Sequence, residues 1–241
     1  MERKTPEAGA FLRAAPAAWL APRRCLVCAS LGQPAFPLDI PLCPSCAAKL
    51  SPIREPRCRT CGKELQSEMG LCFSCRESAN TGIQTHPIFL FRGEAARLIR
   101  AYKQGKHPSL GTLWSTMAAR VLEERWPGRT VVPVPPRPEK IRAGAWDQVE
   151  EIARRLEKEG IAVARVLLRT KDDQQKRLSK ASRAGNALAA YALDPCAKAT
   201  VPEKAVILDD VRTTGATIEA CAAALLGGGA KEISALVLAA D

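Results

Sequence analysis

An α/β fold, with a mostly parallel sheet and helices on both faces, is predicted for residues 81–241 of this 241-residue chain, and a small metal-organised segment is predicted ahead of it. Three observations predict this. From Pro87 to Leu238, short apolar runs alternate with helical stretches. Residues 206–217 read VILDDVRTTGAT, an apolar run suited to a buried parallel strand that leads into a small, hydroxyl-rich turn. Upstream, eight of the ten cysteines fall into four Cys-x-x-Cys pairs.

In chain order, residues 1–22 carry Glu2, Glu7 and Arg13 and are broken by Pro16, which makes a poor secretion signal. They read as a short amphipathic helical segment. No run of 18 apolar residues occurs, so no transmembrane segment is expected. A cytoplasmic location follows as the expectation.

Residues 23–80 contain the cysteine pairs Cys25/Cys28, Cys43/Cys46, Cys58/Cys61 and Cys72/Cys75. Disulfides need an oxidising compartment, and nothing suggests export. A thioredoxin-like redox site uses one such pair, not four. Structural zinc uses two pairs per ion, so four pairs predict two zinc ions. Residues 24–46 and 57–75 repeat the order Arg-Cys-x-x-Cys, spacer, Leu-Cys-x-Ser-Cys. The repeat assigns Cys25, Cys28, Cys43 and Cys46 to one ion and Cys58, Cys61, Cys72 and Cys75 to the other. An interleaved cross-brace stays open, but it would not predict a repeat. Between Ser51 and Asn80 the large apolar side chains other than cysteine are essentially Ile53, Leu65, Met69, Leu71 and Phe73, too few to offset chain entropy without the metal. Loss of the ion is expected to unfold the second unit and leave the sheet intact. Cys196 and Cys221 lack partner spacing and read as buried packing residues.

Beyond residue 80 the elements follow in order. Pro87–Arg92 is a strand, and Glu94–Lys103 is a helix stopped at Gly105. Ser109 opens a helix to about Trp126. Thr130–Val134 is a strand that runs into the rigid Pro133-Val134-Pro135-Pro136. Asp147 caps a helix to Lys158, and Ala162–Leu168 is a strand. Residues 169–186 are polar and charged, and a loop of that length has a function or is disordered. Lys204–Leu208 and Ile233–Leu238 complete the sheet, with a helix from Ile218 to Leu226 between them. His86 and His107 both precede prolines and read as loop residues, not as acid–base catalysts.

The segment 206–217 carries the chemistry. Open α/β sheets hold ligands at the carboxyl ends of their strands. A helix N-terminus presents free N–H groups and a partial positive charge, which suit a phosphate. Gly215 permits close backbone approach, and the threonines add hydroxyl donors. Asp209 and Asp210, placed where the strand ends, would repel that phosphate and suit ribose hydroxyls instead. A sugar phosphate is therefore the expected ligand.

At these residues the chain resembles the type I phosphoribosyltransferases, whose signature is a hydrophobic strand, Asp-Asp, a spacer pair and Thr-Thr-Gly-x-Thr. The resemblance implies a phosphoribosyl pyrophosphate site. Asp209 and Asp210 would hold the ribose hydroxyls, Val211 and Arg212 form the spacer, and Thr213, Thr214, Gly215, Ala216 and Thr217 hold the 5-phosphate. The wider order is two zinc ribbons, Tyr102-Lys103-Gln104-Gly105, Val132-Pro133-Val134-Pro135, a Gln near the next helix start, and then Gln175, Leu178, Arg183 and Asn186. That order is similar to the ComF family of bacterial phosphoribosyltransferase-like proteins, over roughly residues 22–240. The resemblance implies a type I phosphoribosyltransferase fold behind a double zinc ribbon, a role in DNA uptake and natural competence, and magnesium bound with phosphoribosyl pyrophosphate. It places Val134, Pro135 and Arg142 on the pyrophosphate side and Gln175, Arg183 and Asn186 on a flexible loop. Where the family has Arg-Gly-Phe-Asn-Gln, this chain has Gly144-Ala145-Trp146-Asp147-Gln148. That removes one cation from the pyrophosphate side, and Arg142 is the candidate replacement.

Charge is uneven. Residues 81–145 carry 11 Lys and Arg against 4 Asp and Glu, whereas residues 201–241 carry 3 against 6. Each four-thiolate zinc site contributes −2, so the formal net charge of +11 falls to about +7. A basic surface suits single-stranded DNA, with Tyr102, Lys103, Lys106 and Trp146 as candidate contacts and half-buried packing as the competing reading for both aromatics. Nothing in the ribbons reads a nucleobase, so the acceptor is not legible. The alternative function is an active phosphoribosyltransferase in nucleobase salvage. That chemistry needs no side-chain nucleophile, only positioning and charge stabilisation.

Overall fold

The computed structural model describes residues 23–32, 42–66, 69–77, 82–105, 107, 109–170 and 190–241. The N-terminal segment 1–22, Lys106, and the loop residues Gln175, Arg183 and Asn186 lie outside the described residues. The chain divides into two compact units, Met1–Lys49 and Leu50–Asp241.

In the first unit, β1 (Arg23–Arg24) pairs antiparallel with β2 (Leu31–Gly32), and Pro44 opens the one-turn helix α1 (Pro44–Ala48). The second unit begins with the short helix α2 (Phe73–Glu77). It continues as an α/β domain built from β3 (Gln84–Leu90), α3 (Gly93–Lys103), α4 (Ser109–Arg125), β4 (Thr130–Pro133), α5 (Pro138–Arg142), α6 (Gln148–Lys158), β5 (Leu167–Arg169), β6 (Tyr191–Leu193), β7 (Lys204–Arg212), α7 (Ala216–Gly227) and β8 (Glu232–Ala240). Four strands form a parallel sheet in the order β3-β8-β7-β4.

Strand alternation sorts the core. Ala205 and Ile207 of β7, Ala235 and Val237 of β8 and Val132 of β4 pack with Ile218, Cys221 and Leu225 of α7. The intervening residues face the other side. There Phe89 of β3 meets Trp114 of α4 edge-on at 6.0 Å between ring centroids.

Four sequence expectations change. β7 does not stop at Leu208 but runs to Arg212, because β8 stays beside it through Ala240. Asp209 and Asp210 therefore lie inside a strand. The expected strand Ala162–Leu168 touches the sheet only at a Val131–Val163 bridge. The chain then leaves it, because β5 pairs antiparallel with β6 and Asp194 N–H donates to Val166 O at 2.9 Å. His86 is no loop residue. It lies in β3, edge-on to Trp126, where burial pushes its imidazole pKa down to about 3. Cys196 is exposed in a turn after β6, whereas Cys221 is buried in α7.

Asp147 caps α6 as the sequence predicts, accepting from the N–H groups of Val149 and Glu150 at 3.1 and 2.9 Å. Replacing it with Ala should cost about 1 kcal/mol of stability in denaturant unfolding, and Asn should retain most of that. Equal loss in both variants would mean that the Lys140–Asp147 ion pair at 2.9 Å, not the cap, carries the effect.

Candidate functional site

Within each cysteine pair the chain turns back on itself. Ala29 N–H donates to Cys25 O, Cys46 N–H to Cys43 O, Gly62 N–H to Cys58 O and Cys75 N–H to Cys72 O. This brings two thiols side by side, and two such turns meet in each ribbon. The sulfurs of Cys25, Cys28, Cys43 and Cys46 lie within 4.8 Å of one another, as do those of Cys58, Cys61, Cys72 and Cys75. Tetrahedral zinc with bonds of about 2.3 Å needs sulfurs about 3.8 Å apart. Cys28 to Cys43 is 3.7 Å and Cys61 to Cys72 is 3.6 Å. The chain thus has two four-cysteine zinc-binding sites, paired within each repeat and not cross-braced. In the first, a hydrogen bond with the Ser45 hydroxyl lowers the Cys43 thiol pKa, whereas burial raises that of Cys46.

The second cluster of chemistry lies where β7 meets α7. Asp209 and Asp210 are adjacent in an extended strand and so point to opposite faces of the sheet. Asp209 lies on the α7 side, near Cys221 and Tyr191. Burial, reinforced by the neighbouring Asp210 charge, pushes its carboxyl up to about 7. Asp210 points to the α3–α6 side. Its Oδ2 is 3.0 Å from Lys103 Nζ at the end of α3 and accepts from Gln148 Nε2 at 2.5 Å. Lys140 Nζ in turn donates to Gln148 Oε1 and Asp147 Oδ2, both at 2.9 Å.

After Arg212 the chain bends through Thr213 and Thr214, both exposed, to Gly215, whose φ of +91° favours glycine. Gly215 is the N-cap of α7 and supplies no side-chain cap, so the first-turn N–H groups are left to other acceptors. Thr214 Oγ1 lies 3.4 Å from Ala216 N. Arg212 is buried beneath the turn, and a Cβ on Gly215 would stand 2.8 Å from its Nη2. Val211, Ala216 and Thr217 are half-buried.

The structure corrects one candidate contact outright. Tyr102 is 0% exposed, and its hydroxyl donates to Gln148 O at 3.1 Å, so its ring offers no stacking face. Trp146 packs edge-on against Tyr102 at 4.7 Å and remains half-buried. Lys103 is engaged with Asp210. On the expected pyrophosphate side, Val134 is buried, Pro135 is half-buried, and Arg142 is exposed on α5, 3.4 Å from Glu139. Sequence reasoning placed Lys140 beside the expected pyrophosphate side and missed Arg169 and Tyr191 as neighbours of the acid pair. Arg169 stands over the Tyr191 ring at 5.5 Å, and Tyr191 reaches Thr217. Only the fold brings residues 169 and 191 together, so no local signal marks them.

A family model described as a double zinc ribbon domain matches residues 17–76. Competence protein ComFC of Streptococcus pneumoniae (strain ATCC BAA-255 / R6) is 25% identical over 202 residues, which is 83% of this chain and 88% of that protein. Together with the two four-cysteine sites, these likenesses support assigning the chain to the ComF family.

Elemental analysis of the purified protein should give two zinc ions per chain, and one ion or none would contradict the four-sulfur geometry. The Asp209 carboxyl supplies a pH signature. Between about pH 4 and pH 7 the folded chain keeps a proton there that the unfolded chain has released, so stability contributed at this group falls as pH rises through that window. Asp209→Asn is neutral throughout. Its Tm should therefore rise relative to wild type from pH 4 to pH 7, by about 2–4 °C for each kcal/mol removed. A Tm difference that does not change with pH would place an ordinary carboxylate at 209.

Proposed function

We propose that this chain binds phosphoribosyl pyrophosphate at the β7–α7 turn and takes part in DNA uptake or in the handling of single-stranded DNA, in the cytoplasm. The observation that carries the ligand is the meeting of an acid pair with a Thr-Thr-Gly-x-Thr turn at the uncapped start of a 12-residue helix. First-turn N–H groups and the exposed Thr213 and Thr214 hydroxyls suit a phosphate monoester. Asp209, the carboxylate without a lysine on it, suits the ribose hydroxyls. Asp210 is held by Lys103 and Gln148 and fixes the shape of the opposite wall. Lys103 on Asp210, and Lys140 on Gln148 and Asp147, supply cations in a chain that has Gly144 where the family has arginine. Magnesium prefers oxygen ligands, and the Asp209 carboxylate with the two threonine hydroxyls offers donors of that kind for an ion carried in on the pyrophosphate. The DNA role rests on likeness to a protein named for competence. The cytoplasmic location rests on cysteines arranged for metal and not for disulfides. Among the described residues no helix is long and apolar enough to cross a membrane.

Calorimetry with phosphoribosyl pyrophosphate and magnesium tests the ligand. Asp209→Asn should weaken binding about 10-fold or more, the value of a charge-assisted hydrogen bond, and Thr214→Ala about 5-fold. Both variants should keep wild-type circular dichroism. Unchanged affinity in both, or no binding by wild type, would remove the site. Gly215→Val is a poorer probe, because its side chain would also strike Arg212. Pyrophosphate release in the presence of a panel of bases would favour the salvage enzyme instead.

A further inference from the structure

We propose that the second zinc site is a structural part of the β7–α7 turn, acting through the two residues that flank Cys61. Thr60 O accepts from Thr85 N–H of β3 at 2.8 Å. Gly62 is pressed onto the same strand, where an added Cβ would stand 2.3 Å from Pro87 Cδ and 2.5 Å from Thr85 O. Thr60 and Thr85 then join Arg212, Gly215 and Ile218 in lining one small cavity under the turn. The residue next to a zinc ligand and the glycine at the start of α7 thus line the same cavity.

The coupling follows from what holds the ribbon together. Its buried cluster is Cys58, Cys61, Leu65 and Cys72, with Leu71 and Cys75 packed against them. Four of these six residues are the metal ligands, so the ion is the core of the ribbon. The ribbon also closes the outer edge of β3. Ile53 N–H donates to Ile88 O at 2.9 Å, and Arg57 Nη1 donates to Pro87 O at 2.7 Å. Losing the ion removes these partners together with Thr60 O. The sequence-based expectation that the sheet stays intact without this zinc therefore gives way. β3 loses its cover, and the cavity under Arg212 and Gly215 loses a wall.

Hydrogen exchange on the full-length protein, read by mass spectrometry with no ligand present, tests this. Two variants are compared with wild type. Cys75→Ser removes a ligand, and Gly62→Ala keeps all eight ligands but unseats the ribbon from Pro87 and Thr85. Elemental analysis should show one zinc in the first variant and two in the second. In both, peptides covering 84–90 and 209–218 should exchange at least about tenfold faster, while the β4 peptide 130–133 holds its wild-type rate. Faster exchange confined to 53–77, with 209–218 unchanged, would overturn the proposal. So would uniform acceleration that includes β4 in Gly62→Ala. If Cys75→Ser unfolds globally, Gly62→Ala decides. Because no ligand is used, failure to bind phosphoribosyl pyrophosphate would leave this result standing, and the reverse also holds.

Discussion

The parallel ladder between β7 and β8 is the constraint on which the site depends. It keeps one register from Lys204–Glu232 to Arg212–Ala240, whereas β4 on the other side of β7 stops at Pro133. The reason is chemical. Val134 N–H makes the last bond, to Leu208 O at 2.9 Å, and Pro135 and Pro136 have no N–H to continue. From Asp209 to Arg212, β7 therefore keeps β8 as its one ladder partner. An acid pair at the end of a complete sheet would be buried between neighbours. Here it lies beyond the carboxyl end of β4, the end of the strands at which open α/β sheets place their ligands.

Because the ladder keeps Asp209 and Asp210 extended, it also separates them. Adjacent carboxylates on one strand point to opposite faces and meet opposite surroundings. Lys103 and Gln148 both engage Asp210. Asp209 has the Cys221 and Tyr191 side and no lysine on it, so burial and the neighbouring Asp210 charge outweigh the hydrogen bond from Asp210 N–H and push its carboxyl up to about 7. Two identical residues thus meet different surroundings because alternation turns them to opposite faces. The buried Tyr102 serves the same division of labour. Its hydroxyl fixes the Gln148 backbone, and Gln148 fixes Asp210. This gives the Tyr-Lys-x-Gly segment a physical role as the far wall of the acid pair, where its composition alone left stacking and packing both open.

Much of the frame is legible because its signals are local. Helix limits at Lys103 and Lys158, the Asp147 cap, the zinc pairing and the β7–turn–α7 order follow from residues within a few positions of one another. What the sequence hides is non-local. That β7 continues past Leu208 depends on how far β8, more than twenty residues later, stays beside it. Tyr102 and His86 look polar and available, yet tertiary packing buries both. The strand expected at Ala162–Leu168 has the right composition, but the antiparallel partner at Tyr191–Leu193 competes for it across residues 171–189. Arg169 and Tyr191 reach the acid pair only through that pairing.

The two ribbons share ligand chemistry but not surroundings. The boundary between compact units falls between Lys49 and Leu50, so the second ribbon folds with the sheet. β3 is an outer strand, and an open outer strand invites pairing with another chain. Its exposed polar groups are met one by one: Thr85 N–H by Thr60, Ile88 O by Ile53 N–H, and Pro87 O by Arg57. Pro87 itself has no N–H to leave unpaired on that edge. A ribbon with so few apolar side chains could not hold this cover in place by hydrophobic burial. Zinc ligation supplies the rigidity that its composition lacks, and the sheet edge receives its cover as a consequence.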